Sequence, residues 1–94
     1  MDIIIHASIK QKIEERHHVT EKEVEECFLN RDGNLLYDTR EKNNTIPPTQ
    51  WFIAETNKGR ALKICFVQTP SALVLKTAYE PNETESHIYQ KYAF

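Results

Sequence analysis

The chain predicts an α+β fold: a four-stranded antiparallel sheet with helices mainly on one face. Three observations lead to it. Two helix-start signatures fill the first third of the chain. Four short segments with strand-like apolar patterning follow, and the links between the last three are too short for parallel crossovers. A third helix-start signature then closes the sequence.

The elements follow in order. Asp2-Ile3-Ile4-Ile5 is β-branched after its first residue and suits a short strand or an extended segment laid on the core. Ser8 and Gln11 have capping-box spacing, so a helix is expected over 9–16, with Ile9 and Ile13 one turn apart on its apolar stripe. Thr20 and Glu23 repeat that spacing more strongly, and Val19 and Val24 can close a hydrophobic staple across the start. The helix 20–29 then buries Val24, Cys27 and Phe28, and Asn30-Arg31-Asp32-Gly33 stops it.

Leu35-Leu36-Tyr37 is a short strand, and 38–45 is a polar loop ended by Pro47-Pro48. A strand over 50–56 leads through Asn57-Lys58-Gly59, where Gly59 is free to take a positive φ, into the strand 61–67. There Leu62, Ile64 and Phe66 alternate with Lys63, Cys65 and Val67. Gln68-Thr69-Pro70-Ser71 turns the chain into a last strand, 72–79. Asn82 and Glu85 open a helix over 83–92, striped by Ile88 and Tyr92 with Tyr89 beside them. The expected core is Ile9, Ile13, Val24, Phe28, Leu62, Ile64, Phe66, Leu75 and Ile88.

Size and charge narrow the function. Ninety-four residues make one domain, and a formal charge of -2 with pI near 6.1 argues against strong non-specific nucleic-acid binding. The charge is uneven, however: from Thr56 to Tyr79 the basic residues Lys58, Arg60, Lys63 and Lys76 stand with no Asp or Glu. Two glycines cannot build a phosphate-cradling glycine loop. No apolar run approaches the roughly 20 residues of a membrane span, so a soluble, cytoplasmic protein is expected. Cys27 and Cys65 read as buried thiols. His6, His17, His18 and His87 match no zinc spacing, and neither a metal nor a cofactor is expected.

If Leu62, Ile64 and Phe66 face the helices, Lys63 stands on the opposite, open face near Lys58 and Arg60, and Lys76 can join them. Such a group can hold phosphates. RNA cleavage also needs a base, an acid and a positive charge beside the phosphorane. His17 or His18 can act as base or acid, Tyr79 as proton donor, and Arg60 or Lys63 as charge stabiliser. The same pattern reads equally as solvated lysines on a half-exposed sheet. Trp51 and the tyrosines can stack bases, although Trp51 after Pro-Pro at a strand start reads first as core.

The strings Arg16-His17-His18-Val19-Thr20, Glu23-Val24-Glu25-Glu26-Cys27-Phe28, Gly59-Arg60-Ala61-Leu62-Lys63-Ile64 and Lys76-Thr77-Ala78-Tyr79, with Glu85 and Tyr89 after them, resemble the BrnT-type toxins. These are small members of the RelE-like ribonuclease superfamily, and the likeness runs over 9–92. It implies a RelE-like sheet, metal-independent RNA cleavage that inhibits translation, and a cognate antitoxin as protein partner. Arg60, Lys63, Tyr79 and His17 are then the catalytic candidates, and Lys58, Lys76 and Arg40 the RNA contacts. Tyr79-Glu80-Pro81 stands where BrnT-type chains commonly have Arg, which points to weak or ribosome-assisted cleavage. The alternative expectation is a catalytically lapsed RelE-like domain that binds a partner protein.

Overall fold

The computed structural model describes residues 2–39 and 47–94. Among them the chain runs β1 (Ile3–Ile4), α1 (Ala7–His17), α2 (Glu21–Asn30), β2 (Leu36–Tyr37), β3 (Thr49–Glu55), β4 (Ala61–Gln68), β5 (Leu73–Tyr79) and α3 (Glu83–Tyr92). The five strands form one sheet in the order β1-β5-β4-β3-β2. Strands β2 to β5 are antiparallel neighbours, as the short links require. The expected polar loop 38–45, and Arg40 within it, lie outside the described residues from position 40 onward.

The sheet has one strand more than expected, and that strand makes it mixed. Ile3 and Ile4 pair in parallel with Leu73 and Val74, and Leu73 N donates to Asp2 O at 3.0 Å. The whole of α1 to β4 separates β1 from β5, long enough for a parallel connection. The short strand covers the outer edge of β5 at its start.

Side-chain alternation divides the sheet into two faces. Phe52, Leu62, Ile64, Phe66 and Leu75 are buried on the face that carries α1 and α2. Phe28 of α2 meets Phe52 and Phe66 edge-on, at centroid distances of 5.0 and 5.3 Å. Ile13, Val24 and Cys27 complete this layer from the helices. Ile9 and Phe28 pack against it half-buried.

The second face was expected to be open, and it is not. Helix α3 crosses it, packing the tilted Tyr89 ring against Trp51 at 5.6 Å between centroids. This also corrects the core: Ile88 is 41% exposed, whereas Tyr89 is buried. The cause lies in Gly33, where an added Cβ would stand 2.6 Å from the Tyr89 hydroxyl and 2.9 Å from the Phe94 ring. Only a residue without a side chain lets the C-terminal segment sit this close. Two hydrogen bonds hold it there, Tyr89 Oη to Asn34 O at 3.0 Å and Asn34 N to Ala93 O at 2.9 Å.

The helix starts differ in how far local chemistry fixes them. Thr20 and Glu23 form the full capping box on α2, with Glu23 N donating to Thr20 Oγ1 and Thr20 N to Glu23 Oε1. Val19 and Val24 are both fully buried behind it. Asn82 and Glu85 form the same box on α3. The Ser8–Gln11 box does not form. Helix α1 begins two residues earlier, His6 is its N-cap without a side-chain bond, and Gln11 turns to Glu15 instead. In the β3–β4 link Gly59 takes the expected positive φ, at 83°.

Two substitutions test this arrangement by thermal or denaturant unfolding. Thr20→Ala removes one side of a complete cap and is expected to cost about 1 kcal/mol. Gly33→Ala forces Tyr89 off its seat and is expected to cost about 1–3 kcal/mol. A Gly33→Ala protein as stable as wild type would mean that α3 rests loosely on the sheet.

Candidate functional site

Lys63 lies at the centre of the second face. It is the third residue of β4, opposite Ile53 on β3 and Tyr79 on β5. Strand alternation points it away from α1 and α2, and α3 then closes over it, leaving it 5% exposed. Its Nζ donates to Glu85 Oε2 at 2.8 Å and sits 4.5 Å from the centroid of the Trp51 ring. Tyr79 Oη donates to the same Glu85 oxygen at 2.7 Å. Beyond it the His17 ring, at the end of α1, lies 5.5 Å from the Tyr79 ring.

Glu85 is the residue that makes the group, although from the sequence it is a capping residue and part of the family-like pattern and not a site candidate. As N3 of α3 it accepts from Asn82 N through Oε1, which leaves Oε2 for Lys63 and Tyr79. One carboxylate therefore starts the helix and neutralises the buried ammonium. The electrostatics follow. Burial works against the charged form of Glu85, but the hydrogen bonds from Lys63 and Tyr79 outweigh it, and its pKa falls below the ordinary 4.5. Lys63 goes the other way: burial would lower it, and the bond to Glu85 carries it above the ordinary 10.5. Burial and the Glu85 carboxylate together raise the Tyr79 phenol, so it keeps its proton at neutral pH.

Arg60, at the end of the β3–β4 link, forms a second cluster beside the first. Its Nη1 donates to both Glu23 oxygens at 3.1 Å and to His18 O at 2.8 Å. Its Nη2 donates to His17 O at 3.0 Å, and its Nε and Nη2 both reach Glu80. These carbonyls are unpaired ends of α1, and Glu23 caps α2, so one guanidinium ties a helix C-terminus to a helix N-terminus. Burial opposes the charge on Arg60, but Glu23 and Glu80 more than restore it. With every N–H group directed at a protein acceptor, Arg60 acts in this geometry as a brace.

The expected site residues thus divide. Lys63, Tyr79 and His17 converge, and Arg60 joins them through the His17 carbonyl. His18 contributes its carbonyl but leaves its ring outside, in a left-handed C-cap with φ 54°. Lys58 is exposed in the β3–β4 link. Lys76 is exposed at the β4–β5 register shift, between Leu75, which faces Phe66, and Thr77, which faces Cys65. The contacts of the Lys63 cluster include neither of these two lysines.

A cleft of about 530 Å³ reaches the cluster from the β2 side, lined by Tyr37, Trp51, Lys63, Glu85, Ile88 and Tyr92 among others. A larger groove of about 760 Å³ lies among Phe28, Leu29, Leu35 and Leu73 and contains none of the charged cluster. Lys63 and Glu85 line only the smaller of these two. Cys27 and Cys65 are both buried and form no disulfide. Burial first, then Glu23 and Glu26, pushes the Cys27 thiol up to about 12, which removes it as a nucleophile. Among the described residues no helix is long and apolar enough to cross a membrane. No protein-family model matches the chain, and no curated protein matches it either.

Glu85→Gln separates the charge from the cap, because Gln also serves at N3 of a capping box. A carboxylate with a depressed folded pKa stabilises the fold above its unfolded value of 4.5, and that stability disappears as pH falls through the folded value. Lys63 contributes the opposite limb, present below 10.5 and lost as pH rises past it. Melting temperatures measured from about pH 6 down to about pH 2 should therefore fall less steeply in Glu85→Gln than in wild type. Parallel curves would show that Glu85 is not held in its charged form.

Proposed function

We propose that this chain is a metal-independent ribonuclease of RelE-like fold, acting as the toxin of a toxin–antitoxin pair. The observation that carries the reading is the meeting of Lys63 and Tyr79 on one carboxylate, Glu85, with the His17 ring 5.5 Å from the Tyr79 ring. Lys63, Tyr79 and His17 are residue types suited to charge stabilisation and proton transfer, and they come from β4, β5 and α1. The resemblance of the Arg16–Thr20, Gly59–Ile64 and Lys76–Tyr79 strings to BrnT-type toxins supports the same reading.

The chemistry is attack of a ribose 2′-oxygen on the adjacent phosphorus, with loss of the 5′-oxygen. The His17 imidazole takes the 2′-hydroxyl proton, Glu85 orients Tyr79, and Tyr79 gives a proton to the leaving oxygen. Lys63 places a fixed positive charge beside them in a site screened from water, where it has most effect on the phosphorane. Arg60 positions His17 by holding its carbonyl and leaves the phosphate to others. Lys58 and Lys76, exposed, are the residues for RNA phosphates further along the strand, together with Arg40.

The acidic partners of both central cations favour a second reading. Glu85 holds Lys63, and Glu23 and Glu80 hold Arg60, as in a domain whose charges serve its own packing. On that reading the chain is a catalytically lapsed RelE-like domain that binds a partner protein.

Expression of wild type beside Tyr79→Phe and His17→Ala, with growth and total RNA followed, separates the two. Wild type should slow growth and fragment RNA. Each substitution should reduce cleavage by roughly 10²-fold or more while the protein stays folded. A folded wild type that leaves growth and RNA unchanged removes the ribonuclease and leaves the partner-binding domain.

A further inference from the structure

The cleft beside Lys63 has walls that the proton-transfer chemistry does not use. Tyr37 on β2 and Tyr92 on α3 are 60% and 61% exposed, yet both line it, and Trp51 and Lys63 lie deeper in it. Neither tyrosine is held in the core, so each can lose its ring without unfolding the chain. Of the three N–H groups on Lys63 one is directed at Glu85. A second faces the Tyr79 hydroxyl, and burial leaves the third beside the Trp51 ring. Lys91 lies 5.3 Å from the Tyr92 ring, in the adjoining groove that shares Ile88 and Tyr92 with the cleft.

We propose that this cleft binds one unpaired nucleobase of single-stranded RNA, stacked on the tyrosines, with a keto oxygen of the base turned toward the Lys63 ammonium. The inference rests on the ribonuclease reading and names the recognition element of that same site. The cleft volume of about 530 Å³ takes a single base and its sugar. Aromatic walls suit a flat π-face whatever its sequence, and the one buried donor adds a preference. Uracil, guanine and cytosine carry a keto oxygen and adenine does not, so an adenine there leaves the ammonium without that acceptor. An aliphatic peptide side chain fits less well, because the Lys63–Glu85 pair lies beside Trp51 at the deep end of the cleft. Lys91, in the adjoining groove beyond Tyr92, can meet the phosphate that follows the base.

Trp51 is the single tryptophan of the chain, so its fluorescence reports the cleft directly. The experiment titrates the protein with 2′-O-methyl tetranucleotides of uridine and of adenosine, which bind without being cleaved. Uridine tetranucleotide should quench Trp51 saturably, adenosine tetranucleotide about tenfold more weakly, and Tyr37→Ala and Tyr92→Ala should each weaken uridine binding about tenfold or more. Absence of quenching overturns the proposal. So does equal binding of the two oligonucleotides, or binding that survives both substitutions. Quenching by an amphipathic helical peptide but by neither oligonucleotide gives the cleft to a protein partner and also overturns it. The two readings fail separately: binding without cleavage of unmodified RNA removes the ribonuclease and keeps the cleft, whereas cleavage that ignores both tyrosines does the reverse.

Discussion

An ammonium group set into the middle strand of a small sheet must be neutralised, and much of the second layer follows from how that is done. Lys63 is almost wholly removed from water, flanked by Trp51 and Tyr79. Removing such a charge from solvent costs several kcal/mol unless a counter-charge and hydrogen bonds answer it. Glu85 supplies both, and Glu85 is available only if α3 starts where Asn82 caps it and lies across the face where Lys63 emerges. The pairing holds the start of α3 on this face, while the close approach at Gly33 seats Tyr89 and the C-terminal end of the helix.

The same pairing gives the site its character. A carboxylate held ionised, a phenol held protonated and a lysine held charged are three groups whose protonation states are fixed in opposite directions by mutual contact. Arg60 extends the order outward by fixing the end of α1, and with it the His17 ring against Tyr79. Structure and chemistry are hard to separate here, since Glu85 serves both.

Much of the fold was legible because its signals are local. The capping boxes at Thr20 and Asn82, the alternation around Lys63 and the glycine at 59 each act within a few residues, and the structure shows all of them. The convergence of Lys63 and Tyr79 was legible for a related reason, since neighbouring antiparallel strands bring them opposite one another. What was hidden depends on long-range contact. The parallel pairing of Ile3 and Ile4 with β5 has no local mark. The face that α3 covers is set by Gly33 and Tyr89, 56 positions apart, and Ile88 and Tyr89 are indistinguishable as stripe residues until that contact is known. Ser8 and Gln11 had the right spacing, but helix α1 begins ahead of them, so spacing alone does not fix a cap.

The central claim is that Lys63 and Glu85 act as one coupled unit that seats α3, and a double-mutant cycle on unfolding free energy tests it most directly. Glu85→Gln keeps the helix cap and leaves the buried ammonium without its counter-charge, and is expected to cost about 2–4 kcal/mol. Lys63→Met leaves only the more accessible carboxylate unpaired and should cost less. The double variant Lys63→Met/Glu85→Gln, with no buried charge left, should be more stable than Glu85→Gln alone. A double variant that loses the full sum of the two single costs would contradict the account.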